Sequence, residues 1–124
     1  MMVEKNDTLL MTLSAPGSRS SNVRAWLDKG SDANFMSKTL YDELEGVSAS
    51  PTRQEFETFN DHLVTALGKA TLKVEWESHR QRLTDPVEME FFIIHNLQTD
   101  LLIGADTIRE YSLQKIARNS NPFR

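Results

Sequence analysis

Residues 25–37 read AWLDKGSDANFMS, and this stretch decides the fold of the chain. An apolar, strand-like run from Val23 to Leu27 leads directly to a carboxylate, Asp28, in a turn opened by Gly30. A second apolar run, Ala33 to Met36, leaves that turn. A carboxylate at the buried end of a strand is costly unless hydrogen bonds or a partner compensate for it. Taken alone, Asp28-x-Gly30 also fits an ordinary surface turn, because Asp-x-Gly is common in hairpins.

A second motif lies much further along the chain, where residues 100–106 read DLLIGAD. An apolar strand ends there at Gly104, and Asp106 stands at a position suited to capping a helix over Thr107–Tyr111. Together the two motifs resemble those of the retropepsin-like aspartic peptidases, and most closely the peptidase domains of long-terminal-repeat retrotransposons and their fungal relatives. In that family the first motif is Asp-Thr-Gly or Asp-Ser-Gly and the second reads like Ile-Leu-Gly-x-Asp. The likeness spans roughly Leu9 to Tyr111.

The resemblance implies a mostly β fold, a closed antiparallel retropepsin-like (acid protease) barrel with one or two short helices. It also implies an aspartic endopeptidase that acts on an extended peptide or polyprotein without a metal or other cofactor. Asp28 is then the catalytic residue, and a water activated by two such carboxylates attacks the peptide bond. Since the chain holds only one matching Asp-x-Gly, the pair requires a symmetric homodimer.

The same resemblance assigns further residues around the site. The catalytic loop and the strand crossing behind it would be braced by Lys29, Ser31, Ile103 and Gly104. Substrate would be bound by Gly30, Asp32, Phe59 and Val64. The last two belong to a flap from Phe59 to Val64 that folds over bound peptide, and a turn at Asn60-Asp61 between two apolar runs supports a hairpin there.

Lys29 departs from the family pattern, which has Thr or Ser at this position. The family's hydroxyl makes hydrogen bonds across the dimer axis, whereas lysine is charged and has no acceptor atom. Two such lysines near an axis would repel, and burying them would cost several kcal/mol unless they were paired. One alternative is therefore a catalytically impaired pseudo-enzyme that serves as a peptide-binding or dimerisation module. Another is that Lys29 was introduced or turns outward and leaves the site functional.

The remaining elements follow from hydrophobic periodicity and from turn and cap residues. We expect one domain over residues 1–124, with a core from about 8 to 112 and a loose polar tail from Ala117. Trp26 and Trp76 are expected to be packing residues, and Phe91 and Phe92 to be core residues. The predicted elements are strands at Thr8–Leu13 and Asn22–Leu27 joined through Pro16-Gly17, a helix at Lys38–Glu45 capped by Ser37, and strands at Ala70–Trp76, Val87–Ile94 and Leu101–Ile103.

Composition narrows the function classes. The 124 residues are 39% hydrophobic and 26% charged, with a net charge of −4, as in an ordinary globular domain. A net negative charge does not favour binding to nucleic acid or to an anionic membrane. The longest apolar run, Phe91 to Ile94, is too short to span a bilayer. Three scattered histidines and the absence of cysteine argue against a metal site. The lack of cysteine also fits the intracellular, cytoplasmic location that we expect.

Overall fold

Six strands close into a barrel in the computed structural model, which describes residues 7–57, 63–77 and 84–119. In chain order the described elements are β1 (Asp7–Ser14), β2 (Ser21–Leu27), β3 (Phe35–Ser37), α1 (Lys38–Glu43), β4 (Glu55–Glu57), β5 (Leu63–Thr65), β6 (Gly68–Trp76), β7 (Val87–Ile94), β8 (Leu101–Ile103), α2 (Ala105–Glu110) and α3 (Leu113–Asn119). The order around the barrel is β1-β2-β8-β3-β7-β6, and β4 with β5 forms a separate two-stranded sheet. The predicted mostly β, closed-barrel class is confirmed.

The barrel interior follows from strict alternation along its strands. In β6, Leu72 and Val74 are buried while Thr71 and Lys73, which alternate with them, are exposed, as the two-residue period of a strand requires. Full burial of a large aliphatic or aromatic side chain stabilises a fold by about 1.5–3 kcal/mol. The largest fully buried side chains are Phe91, Met11, Leu13, Met36, Leu72, Ile93, Leu101, Ile103, Leu113 and Val74.

The first hairpin forms where the sequence predicts it. β1 pairs antiparallel with β2, so that Leu9 lies opposite Ala25 and Met11 opposite Val23. Gly17 has a φ of 74°, a left-handed conformation that glycine adopts without steric cost. β2 then runs parallel to β8 on its other side, which brings the two sequence motifs together.

Helix α1 is shorter than predicted. Its N-cap is Ser37, as expected, and the serine Oγ accepts a hydrogen bond from the Leu40 amide at 3.0 Å. The helix ends at Glu43 rather than Glu45, because Leu44 is already extended.

The prediction that Asp106 caps a helix over Thr107–Tyr111 is wrong. Helix α2 begins at Ala105 with Gly104 as its N-cap, and Asp106 lies in its first turn, where its carboxylate pairs with Arg109. The helix starts early because the Ala105 amide donates to the Ser31 carbonyl at 2.9 Å, which fixes the first turn against the preceding loop.

The chain contains three short helices among its described residues rather than one or two. The additional helix, α3, includes residues 117–119, which we expected to belong to a loose tail, and Leu113 and Ala117 on one of its faces are buried. It is fastened to β1 through Asp7, whose carboxylate accepts hydrogen bonds from Gln114 at 2.8 Å and Arg118 at 3.2 Å. Residues 120–124 lie outside the described part. No described helix has the length and apolar character to cross a membrane.

Candidate active site

Asp28 stands at the end of β2, where that strand runs beside β8. Leu27 is in register with Ile103, and the Asp28 amide continues the ladder by donating to the Ile103 carbonyl at 2.9 Å. Both strands are anchored inside the barrel by buried residues, so the carboxylate emerges from a rigid support. Asp28 itself is half-buried.

A tight turn orients the Asp28 carboxylate. The Ser31 amide donates to the Asp28 carbonyl at 3.1 Å, and the Gly30 amide donates to Asp28 Oδ1 at 2.9 Å. A Cβ at position 30 would lie 3.3 Å from the same Oδ1, so glycine allows this close approach. The other oxygen, Oδ2, accepts no hydrogen bond from any described residue and is therefore available to a ligand or a second carboxylate.

Ser31 and Gly104 connect this turn to α2. The Ser31 hydroxyl donates to the Ala33 carbonyl at 2.7 Å, and the Ser31 carbonyl accepts the Ala105 amide. A Cβ on Gly104 would lie 2.6 Å from the Ala33 carbonyl oxygen, closer than real Cβ atoms come to backbone. Only glycine fits at the crossing of the two motifs.

Asn34 is a bracing residue that the sequence analysis missed. Its Oδ1 accepts the Gly104 amide at 2.8 Å, and its Nδ2 donates to Thr107 Oγ1 at 3.1 Å and to the Glu90 carbonyl at 3.3 Å. One half-buried side chain thus ties together β7, the end of β8 and α2. The available signal was a polar amide inside the otherwise apolar run from Ala33 to Met36.

Lys29 and Asp32 line two separate cavities on opposite faces of α2. The exposed Lys29 lines a cavity of about 500 Å³ with Ala105, Ile108 and Arg109. The exposed Asp32 lines a second cavity of about 300 Å³ that is rich in carboxylates: Glu88, Glu90, Asp106 and Glu110. Lys29 makes no ion pair with Asp28 or with any other residue that the structure describes, so in the single chain its side chain is turned to solvent.

A row of apolar side chains runs across the outer face of the barrel beside Asp28. Trp26 is in register with Leu102, Leu102 with Phe35, and Phe35 with Phe92. All four are half-buried, whereas the flanking strand positions point into the core. Asp28 lies two residues after Trp26 and therefore on the same face of β2. Phe92, predicted to be a core residue, belongs to this outer row instead, because Phe91 takes the inward position.

The hairpin of β4 and β5 covers the far end of this row through Phe56. The Phe56 ring meets those of Phe35 and Phe92 edge to face, with centroids 4.8 Å apart in each case. Opposite Phe56 in the hairpin stands Val64, which is half-buried. Phe59 and the turn at Asn60-Asp61 lie outside the described residues, so the predicted flap tip is not among them. Phe56 and Phe35 were not predicted as site residues. Alternation with Glu55 and Glu57 was a signal for Phe56, whereas Phe35 is placed only by its register with Leu102 and Phe92.

Within residues 7–57, 63–77 and 84–119, no group of three or more His, Cys, Asp or Glu side chains is arranged to hold a metal ion.

Comparison with solved structures identifies the fold. The chain is similar to "EIAV protease complexed with the inhibitor HBY-793", with a TM-score of 0.66 and 12% identity over 89% of this chain and 91% of that one. It is also similar to the retroviral protease-like domain of Ddi1 from Leishmania major, with a TM-score of 0.55 and 18% identity over 85% of this chain and 76% of that one. No protein-family model and no curated protein matches the sequence. With sequence identity this low, the likeness is one of architecture: the chain has the retropepsin-like fold, with Asp28 and Gly104 at the crossing of its two motifs.

Proposed function

We propose that this chain is a retropepsin-type aspartic endopeptidase domain that works as a homodimer. The observation that carries the proposal is the Asp28 carboxylate, which is held by the Gly30 amide at one oxygen and has its other oxygen without a described partner. It stands at the end of a braced strand and beside the outer row of apolar side chains. This is the arrangement that an acid–base carboxylate needs.

The mechanism follows from pairing two such carboxylates. Two carboxylates only a few ångströms apart share one proton, because both cannot ionise. The ionised member takes a proton from a trapped water, which attacks the peptide carbonyl, while the protonated member polarises the carbonyl oxygen. Because one chain supplies only one such residue, Asp28 of a second copy would complete the pair on a two-fold axis.

An extended peptide with apolar side chains is the substrate that the outer row favours. Trp26, Leu102 and Phe35 offer an apolar floor within reach of Asp28. The β4–β5 hairpin supplies strand edges that could bind a peptide backbone by β-type hydrogen bonds. The second motif, whose closest counterpart is Ile-Leu-Gly-x-Asp, favours a retrotransposon-type peptidase and therefore a polyprotein substrate.

The competing proposal is a pseudo-enzyme that retains the outer row of apolar side chains for peptide binding but does not cleave peptides. Lys29 favours it, because this position lies next to Asp28 and a cation there would repel its copy across the axis. The two proposals share the fold and the outer apolar row, and they differ in whether Asp28 acts in peptide cleavage.

The test is cleavage of a peptide library by the parent chain and by Asp28→Asn. The proposal predicts cleavage by the parent and none by the variant, since an amide cannot serve as the base. Asn retains the oxygen that accepts the Gly30 amide, so the free energy of unfolding should change by less than about 1 kcal/mol. A parent that binds library peptides but never cleaves them would establish the pseudo-enzyme. Undiminished cleavage by Asp28→Asn would remove Asp28 from the mechanism.

A further inference from the structure

The cavity beside Lys29 is lined by positively charged side chains, whereas the whole chain has a net negative charge. It lies between the Asp28 turn, α2 and the start of α3, and its volume of about 500 Å³ falls in the range of about 300–1,000 Å³ of small-molecule sites. Three of its lining side chains are cationic and none is acidic: Lys29, Arg109 and Lys115. The whole chain carries 18 acidic and 14 basic residues, so this concentration of positive charge runs against the composition.

Helix α2 lies between this cationic cavity and the acidic cavity on its other side. One face of the helix contributes Ala105, Ile108 and Arg109 to the cationic cavity. The other contributes Asp106 and Glu110 to the acidic cavity that Asp32 also lines. Apart from the Arg109–Asp106 pair that joins the two faces, the charge of the lining side chains therefore changes sign across a single helix, which favours an anion on the Lys29 side.

Among the described residues, one of the three cations is ion-paired and the other two are not. Neither Lys29 nor Lys115 makes an ion pair with a described residue. Arg109 pairs with Asp106, but both side chains are largely exposed, at 75% and 83%, and such a pair contributes little. The nearby Asp7 carboxylate is already engaged by Gln114 and Arg118. Three like charges around one cavity repel each other, and a bound anion would relieve that repulsion.

We propose that this cavity binds a small multivalent oxyanion, one that carries phosphate or carboxylate groups. The Lys29 and Lys115 ammonium groups and the Arg109 guanidinium supply charge-assisted donors. Ser112 lines the same cavity, and its hydroxyl adds a neutral donor. The site goes beyond the proposed peptidase function and does not depend on cleavage. Because that function places Lys29 near the two-fold axis, sedimentation of the chain with each anion shows whether anion binding and the dimer compete, so the two proposals can fail separately.

The experiment is titration of the full chain with pyrophosphate and, separately, with citrate at constant ionic strength, followed by calorimetry and by amide chemical shifts. We expect one anion per chain with a Kd below about 1 mM, which corresponds to a binding free energy of about −4.1 kcal/mol. Shifts should concentrate at Lys29, Ser112 and Lys115. Tighter binding of pyrophosphate would identify phosphate as the recognised group, and tighter binding of citrate would identify carboxylate.

Three variants separate the site from general electrostatic attraction. Lys29→Gln and Lys115→Gln should each weaken binding about threefold to fivefold, the effect of losing one exposed ion pair. The matched control is Lys73→Gln, which removes an exposed lysine of β6 that does not line the cavity and should leave the Kd unchanged. Absence of binding by both anions below about 1 mM, or an equal loss in the Lys73 variant, would overturn the proposal.

Discussion

At the scale of single residues, the site depends on polar atoms that find partners across the chain. The Asp28 carboxylate accepts a hydrogen bond from the Gly30 amide, two residues away. The Asn34 side chain accepts one from the Gly104 amide, seventy residues away. The first contact follows from an Asp-x-Gly turn and could be anticipated from the sequence. The second could not, because nothing local to Asn34 indicates which distant amide its side chain will accept.

Asn34→Ala should destabilise the fold by about 1–3 kcal/mol, because it leaves the Gly104 amide without its acceptor at a partly buried site. The matched control is Asn22→Ala, which removes an exposed asparagine that accepts a hydrogen bond from Thr12 at 2.7 Å. The control should cost less than about 0.5 kcal/mol. Urea unfolding of both variants measures the difference, and equal losses would contradict the bracing role of Asn34.

Lys29→Thr should tighten a homodimer and raise or create cleavage activity, if Lys29 lies near the two-fold axis. The change removes like-charge repulsion and supplies a hydroxyl, and each new hydrogen bond is worth about 1 kcal/mol net. Lys29→Ala removes the charge without adding the hydroxyl and so separates the two causes. Dimer dissociation, measured by sedimentation without multivalent anions, checks the prediction. A Thr variant that dimerises no better than the parent and stays inert would show that Lys29 is not the obstacle.

At the scale of elements, alternation predicted the barrel strands well, because each strand has one face in the core. Helix α3 escaped prediction because its apolar residues, Leu113 and Ala117, are few and their burial depends on contact with β1. The outer row escaped for a related reason. A half-buried Phe35 or Phe92 looks like a core residue until the register places it opposite its neighbours.

The β4–β5 hairpin offers a test at the same scale. Phe56→Ala should free the hairpin from the barrel, because Phe56 provides both of its edge-to-face contacts with Phe35 and Phe92. Amide hydrogen exchange of Leu63 and Thr65 should then become faster, while exchange in β6 and β7 stays slow.

Leu63→Ala is the control for this hairpin. Its side chain lies in β5 but is 62% exposed, so its removal should leave the exchange rates unchanged. Unaltered exchange in the Phe56 variant would mean that the hairpin is held by other contacts, such as the Leu67 amide on the Ile93 carbonyl.

At the scale of the whole molecule, the account depends on a second copy of the chain. One chain supplies the fold, the Asp28 turn and the outer row of apolar side chains. The proposed peptide cleavage needs two carboxylates on one two-fold axis. The two motifs predicted the barrel and the crossing of the Gly104 strand behind the Asp28 loop through their resemblance to the retropepsin-like peptidases. No local pattern could show how two surfaces pair, since pairing depends on charges and shapes from distant segments, Lys29 and Arg109 among them.

The most direct measurement is the rate of peptide cleavage against total protein concentration, with increasing amounts of Asp28→Asn mixed into the parent chain. A dyad shared between two copies predicts that activity per chain rises with concentration until dimers dominate. It also predicts that the variant inhibits the parent, because mixed dimers carry only one reactive carboxylate. Activity per chain that is independent of concentration and unaffected by the variant would contradict the shared dyad.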